Sequence, residues 1–95
     1  VKNMELSRLF FAGLAKPAER LCAIRDYIRQ MEETHGILCT IEEQVRRMDP
    51  KELPPRTDWP QVLRFQRYTI QYGIDAAEFE IGWYSRLLHE LEEDS

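Results

Sequence analysis

The stretch PQVLRFQRYTIQYGIDAAEFEIGWYSRLLHEL, residues 60–91, decides the fold. One apolar register in it runs Val62, Phe65, Thr69, Tyr72, Ala76, Phe79, Trp83, Leu87. A second runs Leu63, Ile70, Ile74, Ala77, Ile81, Tyr84, Leu88, Leu91. Both keep the three-and-four spacing of a helix stripe, and together they exceed the roughly 100° apolar face of an ordinary surface helix. One neighbouring helix covers one stripe. The spacing therefore predicts a long helix over about 60–92 whose remaining apolar surface calls for a second chain, so that function follows from association.

Upstream of this helix, Asp49 to Trp59 reads as a linker, because Pro50, Pro54 and Pro55 cannot continue a helix. Asp58 is placed to cap the helix that follows, with Trp59 and Pro60 in its first turn. Before the linker a second long helix is expected over about 17–48. Pro17 suits its first turn, and Glu19 sits where the macrodipole favours an acid. Its apolar stripe goes Leu21, Ile24, Ile28, Met31, His35, Leu38, Glu42, Val45, a heptad-like spacing with two polar interruptions. A short first helix is expected over about 3–12, carrying Met4, Leu6, Leu9, Phe10 and Phe11, with Asn3 as its cap and Gly13 as a left-handed terminator. No strand-like alternation and no internal repeat interrupts this pattern, so the chain reads as all-α.

Two rods of about 45–50 Å and one short helix make a poor globule, since the interior of a two-helix hairpin is only a seam. Gly36, Gly73 and Gly82 each cost a helix about 1 kcal/mol against alanine. Close helix–helix approach is the usual compensation. Gly73 and Gly82 fall on different faces, which suggests that one serves the intrachain contact and the other an intermolecular one.

The 95 residues bound the chain to one small domain, with 32% charged and 43% hydrophobic residues. No apolar run approaches the ~18 residues that span a bilayer. A net charge of −4 offers no electrostatic footprint for a phosphate backbone, so these residues are not expected to bind nucleic acid. Cys22 and Cys39 on one helix would be separated by about 25 Å, too far to pair within a chain, and read as free thiols of a cytoplasmic protein. Val1-Lys2-Asn3-Met4 has neither a signal-peptide core nor a start methionine, which points to a piece of a longer protein.

Chemistry is sparse. His35 and Glu42 share one helix face and could form a buried polar pair that senses pH or a ligand, or simply set helix register. His89, among Glu90, Glu92 and Glu93, reads as a solvated cation near a helix C-terminus. No metal-ligand set, nucleophile elbow or phosphate loop is present, so no cofactor, no metal site and no enzyme activity are expected. Ten aromatics point first to packing and interface area, and second to a pocket for a planar ligand. Arg64 and Arg67 beside Tyr68 could neutralise a carboxylate on such a ligand, or form the solvated flank of the helix.

Taken in order, Leu6-Ser7-Arg8-Leu9-Phe10-Phe11-Ala12-Gly13-Leu14, then Lys16-Pro17-Ala18-Glu19-Arg20, then Tyr68-Thr69-Ile70-Gln71-Tyr72-Gly73 with Glu78, Glu80 and Trp83 beyond, resemble the C-terminal domain of PadR-like transcriptional regulators. This is the long-tailed type also called the virulence-activator-alpha C-terminal domain, and the resemblance covers essentially the whole chain. Lys16 departs from it, standing where Ser or Thr would usually cap the helix before Pro17. The resemblance implies a parent protein with an N-terminal winged helix, absent from this chain, through which DNA is bound. It implies a homodimer formed by one short helix plus two long antiparallel helices in a coiled-coil-like arrangement. Carried over by position, the dimer interface comprises Leu6, Leu9 and Phe10, then Leu21, Ile24, Ile28, Met31, His35, Leu38 and Val45, then Tyr72, Ala76, Phe79, Trp83 and Leu87. Some members respond to small aromatic effectors such as phenolic acids; no residue here is assigned to an effector. The alternative readings are a helical adaptor for another protein, or an aromatic-ligand-binding bundle, neither with a transcriptional role.

Overall fold

The computed structural model describes residues 13, 16–55 and 58–94, over which the chain is two helices and a linker, with no strand. Helix α1 spans Pro17–Arg46 and helix α2 spans Trp59–Glu93. A 3-10 turn, Pro50–Glu52, lies between them. The expected short helix over 3–12, with Leu6, Leu9 and Phe10, lies outside the described residues.

Local chemistry sets the ends. Lys16 is extended, as the residue before a proline must be, and its carbonyl accepts the Arg20 N–H at 2.9 Å without any side-chain cap. Glu19 in the first turn and Arg46 in the last both complement the helix dipole. At the other end the Arg47 N–H is shared between the carbonyls of Glu43 and Gln44, both at 3.2 Å, and Met48 bonds back to Val45 at 3.1 Å. These shorter loops taper α1 just before Asp49, which is extended ahead of Pro50. The helix consequently stops two residues earlier than the expected Met48.

In the linker, Asp49 Oδ1 accepts the Lys51 N–H at 2.9 Å, and the Trp59 indole N–H donates to the Pro54 carbonyl. Two expected caps are corrected. Asp58 holds the N-cap position through its carbonyl, which takes the Val62 N–H at 3.0 Å, but its side chain makes no cap bond. Gly13 is not left-handed, because no glycine among the described residues has a positive φ.

The helices run antiparallel. Arg25, early in α1, pairs with Glu92 near the end of α2 at 2.7 Å, and Glu42, late in α1, approaches Arg67 early in α2 at 3.7 Å. The seam between them takes Ile24 and Val45 from α1 and Leu63, Ile74, Ala77 and Tyr84 from α2, all buried. Leu21, Ile28, Met31, His35, Leu38 and Glu42 complete the α1 stripe, each half-buried. Among the described residues no side chain is less than 2% exposed, and the whole measures 59 × 24 × 15 Å. One helix layer gives a seam and no enclosed core.

Gly73 lets the helices close up. A Cβ built there would lie 3.0 Å from Leu38 Cδ1, so the bare Cα makes room for that leucine. Gly36 and Gly82 have nothing within 4 Å of such a Cβ. Of the three helical glycines, then, only Gly73 offsets its helix cost by tight intrachain packing.

Candidate association surface

The second register of α2 is the one α1 covers. The first register is left facing solvent: Tyr72 is 77% exposed and Phe79 64%, with Phe65 also exposed, and Tyr68 beside it is exposed as well. Thr69 and Ala76 are exposed, while Val62, Trp83 and Leu87 are half-buried. At about 100° per residue the two registers point about 120° apart, so no single helix can cover both.

Cross-helix contacts define two sides of the hairpin. On one edge of the seam, the Tyr27 hydroxyl donates to Glu80 Oε1 at 2.5 Å, the Tyr27 and Tyr84 rings lie 4.8 Å apart, and Leu38 abuts Gly73. On the other edge lie the His35–Glu78, Glu42–Arg67 and Arg25–Glu92 pairs. By helical angle, the outer register of α2 belongs to the first side. So do Ile37 and Ile41 on α1 and Met48 just beyond it, all three exposed. One broad side of the hairpin is therefore apolar across both helices, and the opposite side is lined by ion pairs. Scattered apolar residues on a surface are ordinary, whereas an exposed set gathered on one side is a candidate interaction surface.

Area supports that reading. Phe65, Tyr68, Tyr72 and Phe79 are each more than half exposed, and an aromatic side chain buries roughly 150–250 Å² when covered. Those four alone offer about 500 Å² per chain, or about 1,000 Å² for a symmetric pair, which is the lower bound for a specific interface. Ile37, Ile41, Met48 and the open part of Trp83 add to it.

The residues expected at an interface thus divide into two sets. Leu21, Ile24, Ile28, Met31, His35, Leu38 and Val45 face α2 of their own chain, in the seam. Tyr72, Ala76, Phe79, Trp83 and Leu87 lie on the outer register and are available. Phe65 and Tyr68 belong with this second set although the positional carry-over omits them; Phe65 already stands in the first register by spacing. Ile37 and Ile41 were also legible, as an i, i+4 apolar pair off the main stripe of α1.

The polar residues find different partners from those expected. His35 pairs with Glu78 across the seam, Nε2 to Oε2 at 2.8 Å, and not with Glu42. Two helical turns, about 10 Å of rise, separate His35 from Glu42, so His35 turns to the facing helix and Glu42 to arginines on both helices. Glu42, with its side chain only 12% exposed, is held by Arg46 at 2.7 Å and Arg67 at 3.7 Å. Arg64 Nε donates to the Tyr68 hydroxyl at 2.8 Å. Both arginines of the flank are therefore engaged within the chain. His89 pairs with Glu93 one turn on, at 3.1 Å. Cys22 and Cys39 are free and exposed. Among the described residues, no group of three or more His, Cys, Asp or Glu side chains is placed to hold a metal ion, and no helix is long and apolar enough to cross a membrane.

A family model described as "Virulence activator alpha C-term" matches residues 1–92. No curated protein and no solved structure matches the chain.

Proposed function

The chain belongs to the virulence-activator-alpha C-terminal family, and from that premise we propose that it is the homodimerisation domain of a PadR-like winged-helix transcription regulator of the cytoplasm. It acts by association, not catalysis. Two copies pair through the apolar side of the hairpin, and the pair holds two DNA-binding domains at a fixed separation, matched to the half-sites of a roughly palindromic operator. The observation that carries this is the exposed outer register of α2, with Ile37 and Ile41 of α1 exposed on the same side of the hairpin.

An effector, small and aromatic in some members, would act here by binding one inter-domain geometry more tightly than another.

Light scattering over about a hundredfold dilution tests the proposal. A mass near twice 11.4 kDa that persists supports it. A folded monomer at every concentration removes the dimerisation role.

A further inference from the structure

We infer that the cleft between α1 and α2 lined by Glu42, Arg64, Arg67, Tyr68 and Gln71 is a binding site for small organic dianions of the phosphomonoester class. The inference does not depend on dimerisation. The cleft measures about 520 Å³, within the roughly 300–1,000 Å³ of small-molecule sites. Its walls are basic although the chain carries a net charge of −4. Glu42 is offset by Arg46 at 2.7 Å, which leaves Arg64 and Arg67 as two positive charges on the α2 wall. Asp75 takes an N–H of the Gln71 amide at 2.9 Å and does not line the cleft.

Both arginines keep donors in reserve. Arg64 gives its Nε–H to the Tyr68 hydroxyl at 2.8 Å, and its guanidinium carbon lies 5.5 Å from the centre of that ring. This holds the guanidinium in place and leaves its Nη edge, the fork that matches a pair of phosphate oxygens. The phenol oxygen accepts that bond, so its own proton remains a donor. Arg67 stands 3.7 Å from Glu42, beyond hydrogen-bond distance, while Glu42 already holds Arg46 at 2.7 Å. An incoming anion therefore takes Arg67 without stranding Glu42.

Charge and volume select the ligand class. Two guanidiniums balance a phosphate monoester, which carries a charge of about −1.5 to −2 at pH 7. The rest of the cleft has room for the group to which the phosphate is attached. Arg64, Arg67 and Gln71 leave α2 about 140° round from the outer register, so a partner on the apolar side does not cover them. Tyr68, exposed, stands between the cleft and that side.

The test is titration of the 95-residue chain with glycerol 3-phosphate at constant ionic strength, followed by its amide and arginine Nε–H resonances in NMR. Saturating shifts are expected at Arg64 and Arg67, and acetate, a monoanion, should bind far more weakly. Arg64→Gln and Arg67→Gln should each weaken binding about tenfold, as loss of a charge-assisted hydrogen-bonding group does. Arg64→Lys keeps the charge but loses the fork, and should weaken it several-fold. Glu42→Gln removes the competitor for Arg67 and should tighten binding. Arg29→Gln, at a residue paired with Asp26 elsewhere on α1, makes the same change in net charge and should leave affinity within about twofold. All three arginines are exposed, so the hairpin should survive each change, which circular dichroism checks. Shifts that do not saturate, equal affinity for acetate, or equal losses in Arg29→Gln and Arg64→Gln overturn the inference.

Discussion

Tyr84 and Tyr72 sit on the same helix twelve residues apart; the first is 7% exposed and the second 77%. Nothing in their chemistry distinguishes them. Twelve residues amount to three turns and about 120° of rotation, which carries one ring into the seam and the other to open solvent. Tyr84 packs against Tyr27 and Trp83, with centroids 4.8 Å and 5.0 Å away. Tyr72 faces out among Phe65, Tyr68 and Phe79. The contrast divides the apolar surface of α2 in two. The inner face holds the hairpin together, and the outer face is left to solvent or to the proposed partner.

Substitutions can be chosen to strike one face and spare the other. Ile74→Ala, on the inner face, should cost about 2–5 kcal/mol. For a hairpin with so thin a seam, that shifts much of the chain to the unfolded state, and thermal melting by circular dichroism reads it. A loss below about 1 kcal/mol would mean that the two faces are alike and the seam is not where stability resides. Tyr72→Ala, on the outer face, should leave the helix content intact yet weaken self-association about tenfold or more, as truncation of an interface aromatic does. Sedimentation velocity at micromolar protein distinguishes this from an effect on folding. Should Tyr72→Ala instead lower the melting temperature with no change in mass, the outer face would belong to the fold and not to a partner.

The glycines give the smallest effects and sharpen the same division. Gly36→Ala should stabilise the chain by about 1 kcal/mol, since the new methyl meets nothing within 4 Å. Gly82→Ala should do the same in the monomer; if it also lowers dimer content, the partner packs against Gly82. Gly73→Ala gains the same helix propensity but sets its methyl 3.0 Å from the end of Leu38, which must rotate away. It should therefore come out below the other two in a melting series.

Much of this was legible beforehand. Helix positions follow from proline chemistry, with Pro17 and Pro60 opening the helices and Pro50 closing the first. The α1 stripe from Leu21 to Val45 follows from spacing alone, and every member of it turns toward α2. The cap at Asp58 was less legible, because a residue type that suits a cap does not specify whether its side chain will reach the backbone. Pairing was less legible still. His35 and Glu42 share a face by spacing, yet His35 pairs with Glu78 on α2 and Glu42 with Arg46 on its own helix and Arg67 on α2, and a one-helix pattern carries no record of the facing register.

What the sequence determined by itself is the inventory: two long helices, a proline break, and twice the apolar stripe that one hairpin needs. Periodicity is a property of one helix, so it can be read without knowing the neighbours. Only the tertiary structure decided which register α1 would take. Once Tyr27 bonds Glu80 and Leu38 settles against Gly73, the rotation of α2 is set, and every side chain about 120° round from the seam is committed to solvent or to a partner.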